Sequence, residues 1–358
     1  MMKLLDKLIV KDFLKTYFFV VLMLIMIVLV LDFTEKNDEF IRNEVPASEI
    51  FEYLFNYGLY LNNLLTPITV FISVIFITSR MAGRTEIVAI LSSGVSFMRM
   101  LLPFFMGASL IAVSSFLLNG WVLPGATADV YEFKREYLKD DSQSHYQNFH
   151  VKVAPEVYAY ISRYYTSTKT GRFFTLEHIK DGELLSKLSA ESIVWDTTAN
   201  AWEVRKWTLR ELDEMGEKYT EGDKMDTVLS ITPEDFDLPS NHHETLALPE
   251  LSKQIKVLED RGADNLSFYK IERYVRFMSP FAAIILTFIG VIVSSKKIRG
   301  GSGFKIALGF LLAFIYIILF LLSRTFAEAG TSYPLFAVWL PNVIFAVTGL
   351  VMYKTVPR

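Results

Sequence analysis

The sequence contains no cysteine. Disulfides and thiolate metal sites are therefore excluded, and any part outside a membrane must be held by its own packing. The five histidines, His145, His150, His178, His242 and His243, fall at no metal-ligand spacing. No G-x-x-x-x-G-K-[ST] run occurs either. The one glycine-rich candidate, Arg299-Gly300-Gly301-Ser302-Gly303 before Phe304 and Lys305, lacks that spacing and follows no strand, so it reads as a flexible basic turn rather than a phosphate cradle. No nucleophile stands near a base in any recognisable pattern. The expectation is a protein that is not an enzyme, with no cofactor and no metal of its own. A net charge of -3 without a basic stripe gives no sign of nucleic acid.

The scarcity that says most is of charge within long apolar runs. Six such runs are present: Phe13 to Leu31, about Leu54 to Thr78, Met100 to Leu123, Phe277 to Val293, Phe304 to Leu322, and Leu335 to Tyr353. Each is long enough to cross a bilayer, whose ~30 Å hydrocarbon core needs ~20 apolar residues. A polar block separates the first three from the last three. It dilutes the overall composition to 52% hydrophobic and the mean hydropathy to +0.32. The expected fold class is a membrane protein of six transmembrane α-helices, arranged three and three around an inserted extracytoplasmic all-β domain.

The short loops set the expected orientation, because cytoplasmic flanks carry the excess of Lys and Arg. With the N-terminus inside, Lys3, Lys7, Lys11, Lys15, Arg80, Arg84, Arg99, Lys296, Lys297, Arg299, Lys305, Lys354 and Arg358 are cytoplasmic, against Lys36, Arg42 and Arg324 outside. Both termini are thus expected in the cytoplasm and the polar block beyond the membrane. The first run is too long for a signal-peptide core, and no small-x-small site follows at Leu31-Asp32-Phe33-Thr34-Glu35, so it is expected to remain as an anchor.

Within the polar block, alternation marks strands at Phe149 to Val153, Val157 to Ser162 and Trp202 to Arg210. Turn signals stand at Lys169-Thr170-Gly171, Lys180-Asp181-Gly182 and Thr198-Ala199-Asn200. A sandwich or jelly roll is the expected closure. After Pro249, Leu251, Ile255 and Leu258 recur at helical spacing. The expected organisation is 1–123 for the first three spans, 124–262 for the β domain with a C-terminal helix, and 263–358 for a connecting helix and the last spans. Trp195, Trp202 and Trp207 line either the core of that domain or an apolar groove for lipid; the area aromatics bury favours the core.

No charge lies in the middle of any span, which disfavours an ion-coupled transporter. Asn62 and Asn63 are the most polar residues there, suited to helix–helix hydrogen bonds. Any energy for transport must come from another chain. The loop between Arg80 and Arg99 offers a contact for one. Residues 84–94 form a short amphipathic helix in which Ile87, Ile90 and Leu91 make an apolar stripe and Glu86 occupies the first turn. By its pattern alone this is either a docking element or an interfacial helix without a partner.

That loop, from Arg84-Thr85-Glu86-Ile87 to Ser93-Gly94, belongs to a set. With it go Ala190-Glu191-Ser192-Ile193-Val194-Trp195, followed by Trp202 and Trp207, and the closing Pro334-Leu335-Phe336-Ala337-Val338-Trp339-Leu340-Pro341-Asn342. Together and in this order they resemble the permease subunits of the lipopolysaccharide-export ABC transporter, the LptF/LptG family, over essentially the whole chain. The resemblance implies an inner-membrane heterodimer of two homologous permease subunits on two ATPase subunits, which use ATP and Mg. It further implies that lipopolysaccharide passes through periplasmic β-jelly-roll domains to a bridge of similar folds. Arg84, Glu86, Ile87 and Ile90 would form the ATPase-coupling helix. Lys36, Arg42, Arg324, Trp202 and Trp207 are the candidate lipid-binding residues. One departure stands out. The family often has lysines near the outer ends of its first two spans, whereas here that region reads Asp32-Phe33-Thr34-Glu35-Lys36-Asn37-Asp38-Glu39. The basic turn at 299–303 and the short tail lean toward the LptG type. Two rival readings are an ABC-linked mechanotransmitter that moves no lipid and a membrane scaffold with a β adhesion domain.

Overall fold

Polar residues flank the apolar runs, yet the helices continue through them, since nothing in Leu4 to Arg42 breaks a helix. In the computed structural model, which describes residues 4–138, 145–180, 182–213, 216–229, 231–233, 241–261, 265–295, 303–330 and 333–354, the first helix is α1, Leu4–Arg42. There follow α2 (Ala47–Gly83), α3 (Glu86–Ser92), α4 (Phe97–Leu117) and α5 (Leu123–Tyr137). Six strands come next: β1 (His145–Ala154), β2 (Val157–Tyr165), β3 (Thr170–Lys180), β4 (Glu183–Asp196), β5 (Ala201–Asp213) and β6 (Gly216–Thr227). The chain ends with α6 (His242–Thr245), α7 (Leu248–Arg261), α8 (Leu266–Ser295), α9 (Gly303–Glu328) and α10 (Pro334–Tyr353). Among the described residues, six helices are long and apolar enough to cross a membrane. The glycine-rich turn at 299–302 lies outside the described residues.

The third span does not stop at Leu123. It passes through a π-helical turn, Leu118–Val122, straight into α5. Pro124 near the start of α5 has no N–H to give the carbonyl one turn back, and a widened turn accommodates that loss. The chain accordingly divides into two compact units: residues 1–138, 244–248 and 270–358 form one, and residues 139–243 and 249–269 the other.

In the helical unit, hydrocarbon outside is as apolar as the side chains inside, so close packing and buried hydrogen bonds hold the helices together. Gly107 of α4 lies so near α1 that a Cβ there would come 2.5 Å from Cδ1 of Phe13. Phe13, Val70, Val74, Leu101, Phe104 and Ile292 fill the core around that contact. Tyr316 donates to Asn342 Oδ1 at 2.9 Å, and Asn342 donates to the carbonyl of Met278 at 3.1 Å, linking α9, α10 and α8. Asn342, Asn119 and Asn56, all buried, thus tie helices, more than Asn62 and Asn63.

In the second unit the strands pair antiparallel in sequence order, β1 to β6, as one six-stranded sheet. The inserted β domain is thus present. Among the described residues, however, it is a single meander rather than two facing sheets. Each strand meets the next through a short turn, so no strand has to cross to a second layer. Its buried face carries Val151, Ile161, Phe174, Leu188, Ile193, Trp202 and Val204, with Ile231 packed over it. The hairpin between β4 and β5 is closed by Asp196, whose Oδ1 accepts from the N–H of Thr198 at 2.7 Å and of Ala199 at 3.2 Å. In α7, Leu251, Ile255 and Leu258 are buried, as their spacing predicts.

Candidate functional site

The loop between the second and third spans folds as an elbow. Thr85, between α2 and α3, has φ 61°, a left-handed conformation that a β-branched residue adopts only under strain. Its carbonyl accepts from Ala89 N at 3.0 Å, which starts α3 at once. Gly94, at φ 85°, closes the far end by donating to the carbonyl of Leu91 at 3.0 Å. Ser96 then caps α4 by accepting from Arg99 N at 3.3 Å.

This geometry turns the apolar stripe inward. Ile87 is 3% exposed, in the same core as Met81, Phe97, Met100 and Leu101, with Ile90 and Leu91 packed beside it. Arg84 and Glu86 face the other way, 67% and 45% exposed and 3.9 Å apart. Around the elbow, charges join neighbouring helices: Arg99 grips the buried Asp6 of α1 through two bonds of 2.9 and 2.6 Å, and Arg80 meets Asp12 at 2.7 Å. A helix held by one face, with a charged pair on the other, can transmit a push from a partner.

The opposite end of the bundle carries a denser charge cluster. Arg276 of α8 is 4% exposed; it donates to Glu272 Oε1 at 2.9 Å, to the carbonyl of Leu246 at 2.6 Å and to that of Glu244 at 3.2 Å. Arg324 of α9 meets Glu244 at 2.8 Å, Glu328 at 2.8 Å and Glu272 at 3.6 Å. Tyr131 of α5 donates to Glu244 Oε2 at 2.6 Å. Beneath lies a partly open cleft between α2, α5, α8 and α9. Tyr60, Asn63 and the charged groups line one part of it; Leu64, Pro67, Ile317 and Phe320 line the rest.

Over residues 7–355 the sequence matches the model of the lipopolysaccharide export system permease LptF/LptG family. The chain belongs to that family. No curated protein matches it. It is thus an inner-membrane protein and a permease subunit for lipopolysaccharide export. The match does not separate the LptF from the LptG type.

The candidate lipid contacts are not gathered in one place by the permease's fold. Lys36 is held by Asp32 and by Tyr53 Oη at 2.6 Å, with Tyr53 also donating to Asp32 at 2.9 Å. Its ammonium lies 5.1 and 5.4 Å from the ring centres of Tyr53 and Tyr57. Arg42 is exposed in the last turn of α1. Arg324 is not the open cation its surroundings in the sequence suggest, because three carboxylates engage it. Trp202 is a core residue, fully buried, with Nε1 donating to the carbonyl of Ile231 at 2.8 Å. Trp207 is half-buried at the edge of the same core, and its Nε1 has no partner among the described residues. What sequence reading missed is the trio Glu244, Glu272 and Arg276. Glu272 and Arg276 stand at i and i+4, which was a readable signal; the partner Glu244 was not.

Proposed function

We propose that the permease is one of two homologous subunits of an ABC transporter that extracts lipopolysaccharide from the inner membrane, with two ATPase subunits using ATP and Mg on its cytoplasmic side. In this reading the chain has no nucleotide site and no cofactor of its own. The β domain is periplasmic and hands the lipid to a bridge of periplasmic β-jelly-roll proteins. The Lys/Arg bias of the loops supports that sidedness, with both termini cytoplasmic.

The observation that carries the reading is the elbow. Ile87 roots α3 in the bundle core while Arg84 and Glu86 point away from it, so a force applied to the charged face moves α2 and α4 together. Arg84, Glu86, Ile87 and Ile90 are assigned to coupling on that basis. Among the lipid candidates, Arg42 and Trp207 keep exposed surface for a headgroup or an acyl chain. Lys36, Arg324 and Trp202 act first as internal contacts.

The test is Glu86→Lys in the complex purified with its ATPase. A carboxylate facing a basic groove becomes a like-charge contact costing several kcal/mol, so copurified ATPase or lipid-stimulated hydrolysis should fall, with Glu86→Gln intermediate. Export at the parent rate by Glu86→Lys, at matched expression, would end the coupling assignment.

A further inference from the structure

Two arginines hold the segment where the chain re-enters the helical bundle, residues 244–248, and they hold it with different permanence. Arg276 is nearly sealed from solvent and spends its donors on two backbone carbonyls and Glu272. Letting go would leave a buried cation facing vacated carbonyls, which is prohibitive. Arg324 is about a quarter exposed and grips the segment only through the Glu244 side chain. Released from it, Arg324 retains Glu328 one turn along its own helix, 2.8 Å away, and Glu272 at 3.6 Å. Glu244 in turn retains the Tyr131 hydroxyl at 2.6 Å. Neither charge is stranded when the pair parts.

We propose that Arg324 and Glu244 form a releasable latch over the cleft between α2, α5, α8 and α9, and that its opening is a step in lipid passage, with Arg276 as the fixed anchor about which it opens. Both latch residues line the cleft, together with Tyr60 and Asn63 of α2. When Arg324 lets Glu244 go and keeps its bond to Glu328, the end of α9 is freed from the segment and the cleft widens. Three carboxylates around one guanidinium leave it paired in either arrangement, which is what a switch requires. Arg324 is here a positioning residue: it acts by holding α9, without touching the lipid. The step in lipid passage rests on the permease reading above; the latch itself does not.

The two readings separate in one experiment, because the chain has no cysteine and takes spin labels without background. Labels at Phe55→Cys on α2 and Leu322→Cys on α9, both exposed, bracket the cleft. Glu244→Gln, which unlatches, should lengthen the distance between them, raise basal ATP hydrolysis and cut its stimulation by lipopolysaccharide about fivefold, the low end of coupling between sites. Glu328→Gln removes the fallback partner, so the distance should shorten and narrow, and stimulated hydrolysis should fall with no rise in the basal rate. Distances that move the same way in both variants, or in neither, overturn the latch. Opposite movements with unaltered hydrolysis uphold the latch and count against its place in lipid passage. Should Glu244→Gln fail to assemble, Glu328→Gln decides alone: a distance that does not shorten refutes the proposal.

Discussion

At the α3 end of the bundle Ile87 is buried and Arg84 and Glu86 face outward, whereas at the other end Arg276 and Arg324 turn inward onto Glu244, Glu272 and Glu328. Both ends combine charge with apolar surface, but in reversed order. Charge turned outward on an apolar root suits recognition by another chain, since its hydrogen bonds are left for that chain to complete. Charge turned inward, with its bonds already made, fixes helices of the same chain. The end that looks richest in function by charge alone is thus the one already satisfied from within.

The comparison breaks first at Arg276. Arg276→Met leaves Glu272 with the longer contact to Arg324 and vacates two carbonyls, and removing one partner of a buried pair costs about 3 to 5 kcal/mol. The purified chain should show a sharp drop in its thermal unfolding midpoint, and an unchanged midpoint would mean that the inward charges are not the fastening. Ile87→Ala comes next, losing about 2 kcal/mol or somewhat more of local packing. Because α3 has only seven residues, that loss should undock the helix and leave the bundle intact. Hydrogen exchange across 86–92 would then speed up while the global midpoint stays near the parent's; equal protection in both proteins would show that Ile87 is not the root.

How much of this the sequence disclosed follows the range of the contacts. Spans and strands are local patterns, and the stripe of Ile87, Ile90 and Leu91 was legible for the same reason. Helix ends were less so, because Lys and Glu at either end of α1 are good helix formers that hydropathy does not count. The run from Leu118 into α5 looked like an ending because its polarity rises, although Pro124 sits where a helix tolerates it. The latch was beyond reach: Arg324 and Glu244 are 80 residues apart, and Arg276 meets Glu244 across 32. Only the pairs at i and i+4, Glu272 with Arg276 and Arg324 with Glu328, left a trace. For the β domain, alternation identified faces but not how many layers they build, since turn lengths suit a meander as well as a sandwich.

A smaller effect sharpens the contrast between the bundle and the sheet. Gly222 of β6 lies under Trp207 of β5, and a Cβ there would come 2.7 Å from Cζ2 of the indole. Gly222→Ala forces the ring aside, and overpacking of this kind costs about 1 to 3 kcal/mol. The indole is only half-buried and has room to yield, which places the cost near the lower bound. Tryptophan fluorescence should shift toward the emission of a solvated ring, and the midpoint should fall less than for Arg276→Met. A fall as large as that one would mean the sheet is packed as rigidly as the charge cluster.

The smallest effect concerns acid. On the sheet, Arg205 and Lys224 hold the Glu203 carboxyl below its ordinary range, Lys206 does the same for Glu191, and Arg210 with Tyr219 for Glu217. Asp196 is lowered by the two backbone N–H groups of its turn. A carboxylate whose value is lower folded than unfolded stabilises the fold at every pH above the unfolded value, near 4.3 for Glu and 3.9 for Asp. That contribution declines as pH falls below the unfolded value and is gone once pH has passed the lowered folded ones. The sheet should therefore lose stability on acidification from about pH 5 downward and gain nothing between pH 6 and 8. Since these groups lie on the surface, 1 M salt should reduce the acid sensitivity of the β domain. Replacing Glu203 by Gln should flatten the pH dependence below 5 in low salt and change little in high salt. A slope that survives both the substitution and the salt would place the acid-sensitive carboxylates elsewhere in the chain.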